Sequence, residues 1–484
     1  MSTITDYLYA LAQKDGEAPL LFDEHKSYTA ATALKTVEAY ARALYGAGIR
    51  EGDLVALQCK RKPETVLLMY AIMSVGGVAV LCDPHGAVNK FIVNTGVEMQ
   101  VAANIEYADE KPCLLRGDCA NAFVPDFSDG VFPLSSDGER PAMIIFTSGS
   151  TGVSKAVTLS QKNMIVNAEN TVLADWYLQP ERGMIITPIN HLLGLLMTFC
   201  CTVAGYPLFF PAHTNPEYLM SSIEKYSITF IHGVPTTYVT AAEFAGRKNY
   251  DVSSLKCGLM SGGACPPEQF KRLETALNMT IIHAYGMSET GGITTMSRYD
   301  GFDFRASGTG RPFASMQVKI ANENGEPLPV GDVGEICVKS PTVMLGYYND
   351  PVATAAAFDK DGWFKTGDLG YFDENGSLSI SGRIKDIIIR GGENLSCGKI
   401  ERALCNLGGV HMAAVVGVKD EKYGEIPCAM VAVADGVKES DIKDALRDVL
   451  LKNEIPEKIL TVKKLPLLPS GKPDKQTVKK FFER

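Results

Sequence analysis

The chain has 484 residues, of which 46% are hydrophobic and 21% charged, and its 47 Lys and Arg against 56 Asp and Glu give a net charge of −9. This composition is typical of a folded protein with several domains, and it excludes a disordered, collagenous or coiled-coil chain. The acidic balance argues against a nucleic-acid-binding protein, because binding to phosphate backbones requires clustered Lys and Arg.

The first 130 residues alternate between apolar strands and helices. Leu54 to Gln58 and Gly77 to Leu81 are predicted strands, and the apolar segment Val66 to Val75 between them is a predicted helix. Strands that alternate with helices form parallel βαβ units. Because the same alternation returns between residues 230 and 284, we expect a large N-terminal domain of parallel-sheet α/β subdomains.

The pattern changes after Ser307 to short strands joined by turns, with Asn324-Gly325 and Asn375-Gly376 at the tips of two hairpins. This part predicts a β-rich subdomain. Beyond residue 382 about 100 residues alternate strands and helices again, enough for a small α+β domain with its own core. We therefore divide the chain into domains 1–382 and 383–484, with a boundary near Lys385.

Composition also bears on the cellular compartment. The 12 cysteines are scattered without a CxxC pair, which is typical of reduced thiols rather than of disulfides or a zinc site. The N-terminus has no basic region, so we expect no signal peptide. Residues 183–216 lack Asp, Glu, Lys and Arg, but prolines interrupt them, which predicts a buried helix with strand ends rather than a membrane span. We expect a cytoplasmic protein.

A loop rich in Gly, Ser and Thr follows the apolar strand Met143 to Phe146. Its sequence is TSGSTGVSK, from Thr147 to Lys155. Glycines allow backbone N–H groups to approach phosphate oxygens, hydroxyls add donors, and a lysine adds positive charge. The loop is not the Walker loop, since no glycine stands directly before its lysine and Ala156, rather than Ser or Thr, follows it. The sequence therefore predicts a phosphate site, and a plain surface hairpin is the alternative.

Five further motifs follow in order along the chain. They are SGGA at residues 261–264, AYGMSE at 284–289, GWFKTGD at 362–368, GRIKDIIIRGGEN at 382–394 and PSGKPDK at 469–475. Together with the loop, they resemble the adenylate-forming superfamily of acyl-CoA synthetases, amino-acid adenylation domains and luciferases. The resemblance extends from about residue 20 to Lys475. It implies ATP-dependent activation of a carboxylic acid as acyl-AMP, followed by transfer to a thiol.

The resemblance also implies roles for residues. The implied catalytic residues are Lys472, Glu289 and Ser288, with Glu289 as the carboxylate for Mg²⁺. The implied ATP-binding residues are Thr147, Ser148, Gly149, Ser150, Thr151, Gly152, Lys155, Gly262, Gly263, Ala264, Tyr285, Gly286, Asp368 and Arg383. Tyr285 would stack on adenine, and Asp368 would bind the ribose hydroxyls. A mobile C-terminal domain would turn about Lys385, presenting first Lys472 and then a thiol tunnel lined by Gly391 and Gly392.

The implied acid pocket contains His191, His232, Gly233, Val234, Met287 and Gly292. The segment around His191 offers no carboxylate for a substrate ammonium group, and an unpaired ammonium in an apolar pocket would be costly. We therefore expect a fatty or aryl acid, with a dicarboxylate such as succinylbenzoate in second place. His191 could also be an ordinary core histidine.

Three functions remain open from the sequence. The first is an acid–CoA ligase that uses ATP, Mg²⁺ and coenzyme A. The second is a ligase that loads the acyl group onto a carrier protein in trans. The third, from another class, is a non-catalytic nucleotide or acyl sensor on the same fold, which the presence of Lys472, Glu289 and Asp368 disfavours.

Overall fold

The computed structural model describes residues 1–108, 110–116, 119–128, 132–147, 154–176, 182–247, 250–263, 265–434, 436–468 and 472–483. The first part of the chain forms α1 (Ile4–Asp15), β1 (Pro19–Phe22), β2 (Ser27–Thr29), α2 (Ala30–Gly46), β3 (Leu54–Gln58), α3 (Pro63–Ser74), β4 (Val78–Cys82), α4 (Val88–Thr95), β5 (Ala103–Ala108), β6 (Lys111–Arg116), β7 (Cys119–Ala122), β8 (Pro141–Thr147), β9 (Lys155–Ser160), α5 (Gln161–Thr171) and a π-helical turn (Val172–Trp176).

The middle part forms β10 (Gly183–Met184), α6 (Leu192–Ala204), β11 (Leu208–Phe209), α7 (Pro216–Tyr226), β12 (Phe230–Gly233), α8 (Pro235–Arg247), β13 (Cys257–Ser261), α9 (Pro267–Leu277), β14 (Thr280–Ala284), β15 (Gly286–Met287), β16 (Gly291–Gly292), β17 (Thr294–Thr295), α10 (Phe302–Ser307) and β18 (Arg311–Pro312). The last part forms β19 (Gln317–Ala321), β20 (Gly334–Lys339), β21 (Gly346–Tyr347), α11 (Pro351–Ala357), β22 (Phe364–Phe372), β23 (Leu378–Arg383), a 3-10 turn (Ile384–Asp386), β24 (Ile387–Arg390), β25 (Glu393–Ser396), α12 (Cys397–Cys405), β26 (Val410–Asp420), β27 (Gly424–Val433), α13 (Glu439–Leu446), β28 (Lys458–Val462) and α14 (Lys475–Phe482).

Two large sheets form the N-terminal part of the molecule. The first has the strand order β14-β13-β12-β10-β11-β1-β2 and is parallel except for β2. The second has the order β21-β9-β8-β4-β3-β5-β6-β7, with parallel strands at its centre. Every residue of β3 and β4 is buried, as expected for central parallel strands covered on both faces. The carboxyl ends of these parallel strands supply several residues of the candidate site.

The helices begin where their sequences provide caps. The Thr29 hydroxyl accepts a hydrogen bond from the Thr32 N–H at the start of α2, and Pro63 occupies the first turn of α3, where it has no intrahelical N–H to lose. All twelve residues of α3 are buried, and the Tyr70 hydroxyl in this helix donates to the Thr198 carbonyl of α6 at 2.9 Å. This contact joins the helices of the core between the two sheets.

The two smaller parts follow in chain order. Strands β19, β20, β22 and β23 form an antiparallel sheet, which is the predicted β-rich subdomain. The last sheet has the order β25-β24-β27-β26, with β28 parallel to β27, and helices α12 and α14 pack on β26. The prediction of a large α/β domain, a β-rich part and a small α+β domain is confirmed. The 382/383 boundary, which we keep as a proposal, falls inside β23.

Two features differ from the predicted alternation. The second sheet continues from β5 into antiparallel β6 and β7, which the sequence did not indicate. Strands β8 and β9, which flank the predicted phosphate loop, are antiparallel neighbours. The cysteines with described side chains are free thiols. None of the helices within the described ranges is long and apolar enough to cross a lipid bilayer.

Candidate active site

The first wall of the site lies at the carboxyl ends of β13 and β14. These parallel neighbours pair Ser261 with Ala284, so Gly262 and Tyr285, which follow them, emerge at the same edge of the sheet. Gly262 has a φ of +82°, a conformation that favours glycine. The segment then turns back as the hairpin β15–β16, in which a Cβ on Gly286 would lie 2.3 Å from the Gly291 carbonyl oxygen.

Asp368 is a buried carboxylate with a partner on each oxygen. The Tyr285 hydroxyl donates to Oδ2 at 2.7 Å, and Arg383 Nε lies 2.8 Å from Oδ1. Strands β22 and β23 pair Asp368 directly with Arg383, which explains how the two motifs meet. Burial and the Asp368 charge both raise the pKa of Tyr285 above its ordinary value, so the phenol stays protonated and can donate. The arrangement offers a fixed acceptor for hydroxyl groups.

Glu289 forms a second acidic position, next to the half-buried Ser288. Its side chain is buried and accepts a hydrogen bond from the Tyr347 hydroxyl at 3.0 Å. Burial raises the pKa of the Glu289 carboxyl, although the Tyr347 hydrogen bond and the Lys155 charge oppose the shift. The Lys155 ammonium lies 4.4 Å from the ring centroid of Tyr347. Lys155 therefore contacts the ring of Tyr347, and Glu289 contacts its hydroxyl. The pairing of β21 with β9 places Tyr347 beside Lys155.

A divalent cation fits this position. In the part of the chain that the structure describes, no group of three or more His, Cys, Asp or Glu could hold a metal ion by itself. Mg²⁺ is usually bound by one or two carboxylates together with substrate phosphates. Glu289 is a single buried carboxylate, and the Lys155 charge lies nearby. Glu289 is therefore suited to hold Mg²⁺ jointly with a phosphate ligand.

Lys472 reaches this cleft from the C-terminal part of the chain. A Cβ on Gly262 would lie 3.2 Å from Lys472 Cε and 3.7 Å from its Nζ. Two backbone hydrogen bonds fix the chain around Lys472. The Leu468 N–H donates to the Lys472 carbonyl at 2.8 Å, and the Asp474 N–H donates to the Pro466 carbonyl at 2.9 Å. Desolvation lowers the pKa of Lys472, and the Arg383 charge lowers it further, while Asp368 opposes the shift.

Most of the predicted acid-pocket residues lie at the carboxyl end of β12 or in the hairpin β15–β16. His232 is buried, and its Nε2 lies 2.8 Å from the Thr187 hydroxyl. Burial, with a contribution from the Arg61 charge, lowers the pKa of His232 to about 3, so the ring is neutral. Val234 follows two residues later, and its Cγ1 lies 3.4 Å from a Cβ on Gly262. Gly233 ends β12, Met287 and Gly292 belong to the hairpin β15–β16, and the Gly292 N–H donates to Asn167 Oδ1 at 3.1 Å.

His191 caps the amino end of α6 without a side-chain hydrogen bond to the helix. Burial lowers its pKa; the Asp83 charge opposes this shift, and Lys472 adds to it. The structure thus brings His191 near both Asp83 and the catalytic candidate Lys472. Asp83, Arg61 and Tyr347 were missed in the sequence. The available indication for Asp83 and Arg61 was a charged residue just after a buried parallel strand.

The remaining predicted residues have different placements. Lys385 lies exposed in the 3-10 turn Ile384–Asp386. Gly391 and Gly392 form the exposed tip of the β24–β25 hairpin, with φ values of +58° and +89°. The Gly391 N–H donates to the Tyr423 carbonyl at 2.8 Å, so this tip is packed on its own domain and is not brought to Lys472. Thr147 pairs with Lys155 across β8 and β9, and a Cβ on Gly263 would lie 3.3 Å from Pro235 Cδ. Ser148, Gly149, Ser150, Thr151, Gly152 and Ala264 lie outside the described residues.

Comparisons of the chain with family models and with known proteins agree on one family. Residues 8–348 match the model of the AMP-binding enzyme family, and residues 399–472 match that of the AMP-binding enzyme C-terminal domain. The chain is 30% identical over 471 residues to feruloyl-CoA synthase of Amycolatopsis sp, covering 94% of each protein. It is 29% identical over 481 residues to 2-succinylbenzoate–CoA ligase of Listeria innocua, covering 96% of each.

Solved structures agree on the fold. ATP-bound MatB from Rhodopseudomonas palustris superposes with a TM-score of 0.87 at 23% identity, over 99% of each chain. The o-succinylbenzoate CoA synthetase MenE from Bacillus subtilis, in complex with its acyl-adenylate intermediate, superposes with a TM-score of 0.81 at 27% identity, over 98% of this chain and 97% of that one. The chain therefore belongs to the AMP-binding enzyme superfamily and is an enzyme of the AMP-forming acid–CoA ligase type.

Proposed function

We propose that this enzyme joins a carboxylic acid to the thiol of coenzyme A at the expense of ATP. The observation that carries the proposal is the convergence of Lys472, Asp368 and Glu289, from three separate parts of the chain, on the cleft beside Gly262. In the first half-reaction a carboxylate oxygen of the acid attacks the α-phosphorus of ATP in line. The bond to the β-phosphate breaks, and acyl-AMP and pyrophosphate form.

The residues of the cleft have separable tasks in this step. Lys472 neutralises the negative charge that develops between the carboxylate and the α-phosphate, and Ser288 donates its hydroxyl to that phosphate. Lys155 and the loop from Thr147 to Gly152 hold the β- and γ-phosphates. Mg²⁺ bound through Glu289 would supply charge neutralisation on the phosphates. In such reactions catalysis is mostly positioning and charge stabilisation.

The nucleoside part of ATP contacts the other wall. Asp368 accepts hydrogen bonds from the ribose hydroxyls, with Arg383 beside it, and Tyr285 presents its ring to the adenine. Gly262, Gly263 and Gly286 have no side chain, so the base can approach their backbone closely. A side chain at Gly262 would also meet Lys472, and one at Gly286 would meet the Gly291 carbonyl.

The second half-reaction requires a different arrangement of the C-terminal domain. In the arrangement described here Lys472 is directed into the cleft, while Gly391 and Gly392 lie outside it. Rotation about Lys385 would exchange them. The thiol, having lost its proton, then attacks the acyl carbonyl, the thioester forms and AMP leaves.

The acid itself has an apolar body of the fatty or aryl kind. Val234, Met287 and Gly292 supply no charge to the wall, and Leu192 and Leu193 follow His191 at the start of α6. The free thiols of the described cysteines are in keeping with a cytoplasmic enzyme.

ATP–pyrophosphate exchange with fatty, aryl, dicarboxylic and amino acids tests the proposal. Acid-dependent exchange with one class supports adenylation and names that class. Adding coenzyme A, or a carrier protein bearing phosphopantetheine, to the active acid then identifies the acceptor by the thioester formed. ATP binding without exchange for any acid would contradict the proposal and favour a nucleotide or acyl sensor.

A further inference from the structure

Arg61 has an unusual environment at the junction of the two large sheets. It follows β3 by three residues, and its guanidinium Nη2 lies 3.3 Å from the carbonyl oxygen of Ile186, beyond the end of β10. Its Nε is shielded from solvent and has no hydrogen-bond partner among the described residues. Desolvation lowers the pKa of Arg61, and no acidic residue in the described ranges offsets it.

Other arginines in the chain show that this environment is specific. Arg182 and Arg402 also donate to a backbone carbonyl, but at 2.7 and 2.6 Å, which is normal hydrogen-bond distance. Arg305, which forms the most buried arginine salt bridge among the described residues, is paired with Glu274. Within the described ranges, the half-buried Arg61 guanidinium has only the long bond to Ile186, whereas buried charges are usually paired.

The position of Arg61 relates it to the acid pocket. Ile186 directly precedes Thr187, whose hydroxyl contacts His232, and the Arg61 charge helps to lower the pKa of His232. His232 in turn precedes Val234 by two residues along the wall that reaches Gly262 and Lys472. Two extended residues span about 7 Å. Arg61 therefore contacts the segment next to His232, which lies two residues along the chain from Val234.

We propose that Arg61 binds a second anionic group, a carboxylate or a sulfonate, at the far end of the acid substrate. The planar fork of a guanidinium matches both groups. The neutral His232 ring can add a hydrogen bond without adding charge, and the apolar wall between Arg61 and Lys472 accommodates the body of the acid. This inference rests on the proposed function, because it assigns the second end of the acid that the enzyme activates.

The proposal changes the ranking of substrates. The sequence favoured a fatty or aryl acid because the segment around His191 offers no carboxylate for a substrate ammonium group, and it placed a dicarboxylate second. With Arg61 at its far end, acids with two anionic groups come first and acids with an uncharged end second. The apolar body expected from Val234 and Met287 is kept.

The test uses pairs of acids that differ only in the end group. Suitable pairs are butanoate with succinate or 3-sulfopropanoate, hexanoate with adipate, and 3-phenylpropanoate with 3-(4-carboxyphenyl)propanoate. Wild-type enzyme should favour the anionic-ended member by at least about tenfold in kcat/KM for one pair or more, since hydrogen bonds to charged groups are strong. Arg61→Met should lose this preference while using the uncharged member within about threefold of wild type.

Two variants separate recognition from structure. Arg182→Met removes a guanidinium with a single carbonyl bond at the opposite end of β10 and should leave the preference unchanged. Arg61→Lys keeps a charge and should keep part of the preference for the anionic-ended acid. It replaces Arg61→Met in the test if that variant does not fold. Preference for the uncharged member in every pair, or equal losses for both members in Arg61→Met, would overturn the inference while exchange itself upheld the proposed function. Absence of exchange with every acid would overturn both.

Discussion

Both oxygens of the Asp368 carboxylate have a protein partner, and this pairing illustrates how single residues determine the nucleotide wall. Tyr285 donates from one side and Arg383 from the other, in a site that excludes most solvent. Buried polar groups need such partners, because an unsatisfied carboxylate would be costly. The same hydrogen bonds hold Asp368 at the place where we propose that ribose binds.

Tyr285→Phe removes one of these hydrogen bonds and retains the aromatic ring. We expect the KM for ATP to rise about fivefold, because one such bond contributes on the order of 1 kcal/mol, with kcat little changed. The ATP dependence of pyrophosphate exchange measures this. The exposed Tyr299→Phe is the control. An unchanged KM for ATP in Tyr285→Phe would show that the bond does not position Asp368 for the nucleotide.

The lowered pKa of Lys472 gives a pH prediction. The ammonium form exists below its pKa and is lost as pH rises, and burial moves this loss below the ordinary lysine value of about 10.4. We therefore expect kcat/KM for adenylation to fall on the alkaline side at a pH below the ordinary lysine pKa. Lys472→Arg, which stays charged, should lose the alkaline fall even if its rate is lower. The same alkaline fall in both proteins would assign it to another group.

At the scale of elements, α14 and the loop before it place Lys472. Lys475, the first residue of α14, has its Nζ 3.2 Å from Asp386 Oδ2 and 2.9 Å from Glu401 Oε1. Asp386 belongs to the turn that contains the proposed hinge Lys385. Lys475 thus ties the catalytic loop to the hinge and to α12 within one domain.

Lys475→Met should loosen this loop. We expect the rate of acyl-AMP formation to fall about tenfold or more, because small displacements of a catalytic group are expensive, whereas thioester formation from supplied acyl-AMP changes little. Single-turnover measurement of each half-reaction tests this, with the exposed Lys480→Met in the same helix as control. Equal losses in both half-reactions would indicate a general loss of structure.

Some elements and site residues could be predicted from the sequence, and others could not. Strands β3 and β4 were predictable because each is a short, mainly apolar run between helices. The motif residues Lys472, Asp368 and Glu289 were found because their local patterns are distinctive. Arg61, Asp83 and Tyr347 were missed because their roles depend on which strands become neighbours. Tyr347 reaches Glu289 only through the pairing of β21 with β9, and no local pattern encodes that pairing.

At the scale of the whole molecule, two histidines are buried in the neutral form. The pKa of His232 is lowered to about 3 and that of His283 to about 4, in both cases chiefly by burial, from an unfolded value of 6.5. Between these limits the unfolded chain binds protons that the folded chain does not. Stability is therefore complete above pH 6.5 and is lost as pH falls towards 3.

Each histidine should contribute up to about 1.4 kcal/mol per pH unit to this acid destabilisation. The free energy of unfolding, measured with urea between pH 7 and pH 4.5, should fall less steeply in the double variant His232→Gln, His283→Asn than in wild type. The comparison is of slopes, since the variant also changes packing. Parallel pH profiles would show that these histidines are not buried neutral in the folded protein.

The central claim is that one cleft serves two half-reactions and that Lys472 acts only in the first. The most direct measurement follows both half-reactions in wild type and in Lys472→Ala. Acyl-AMP formation from ATP and the active acid should be abolished in the variant, whereas thioester formation from supplied acyl-AMP and coenzyme A should remain near the wild-type rate. Loss of both half-reactions to the same extent, in a variant that folds like wild type, would contradict the account.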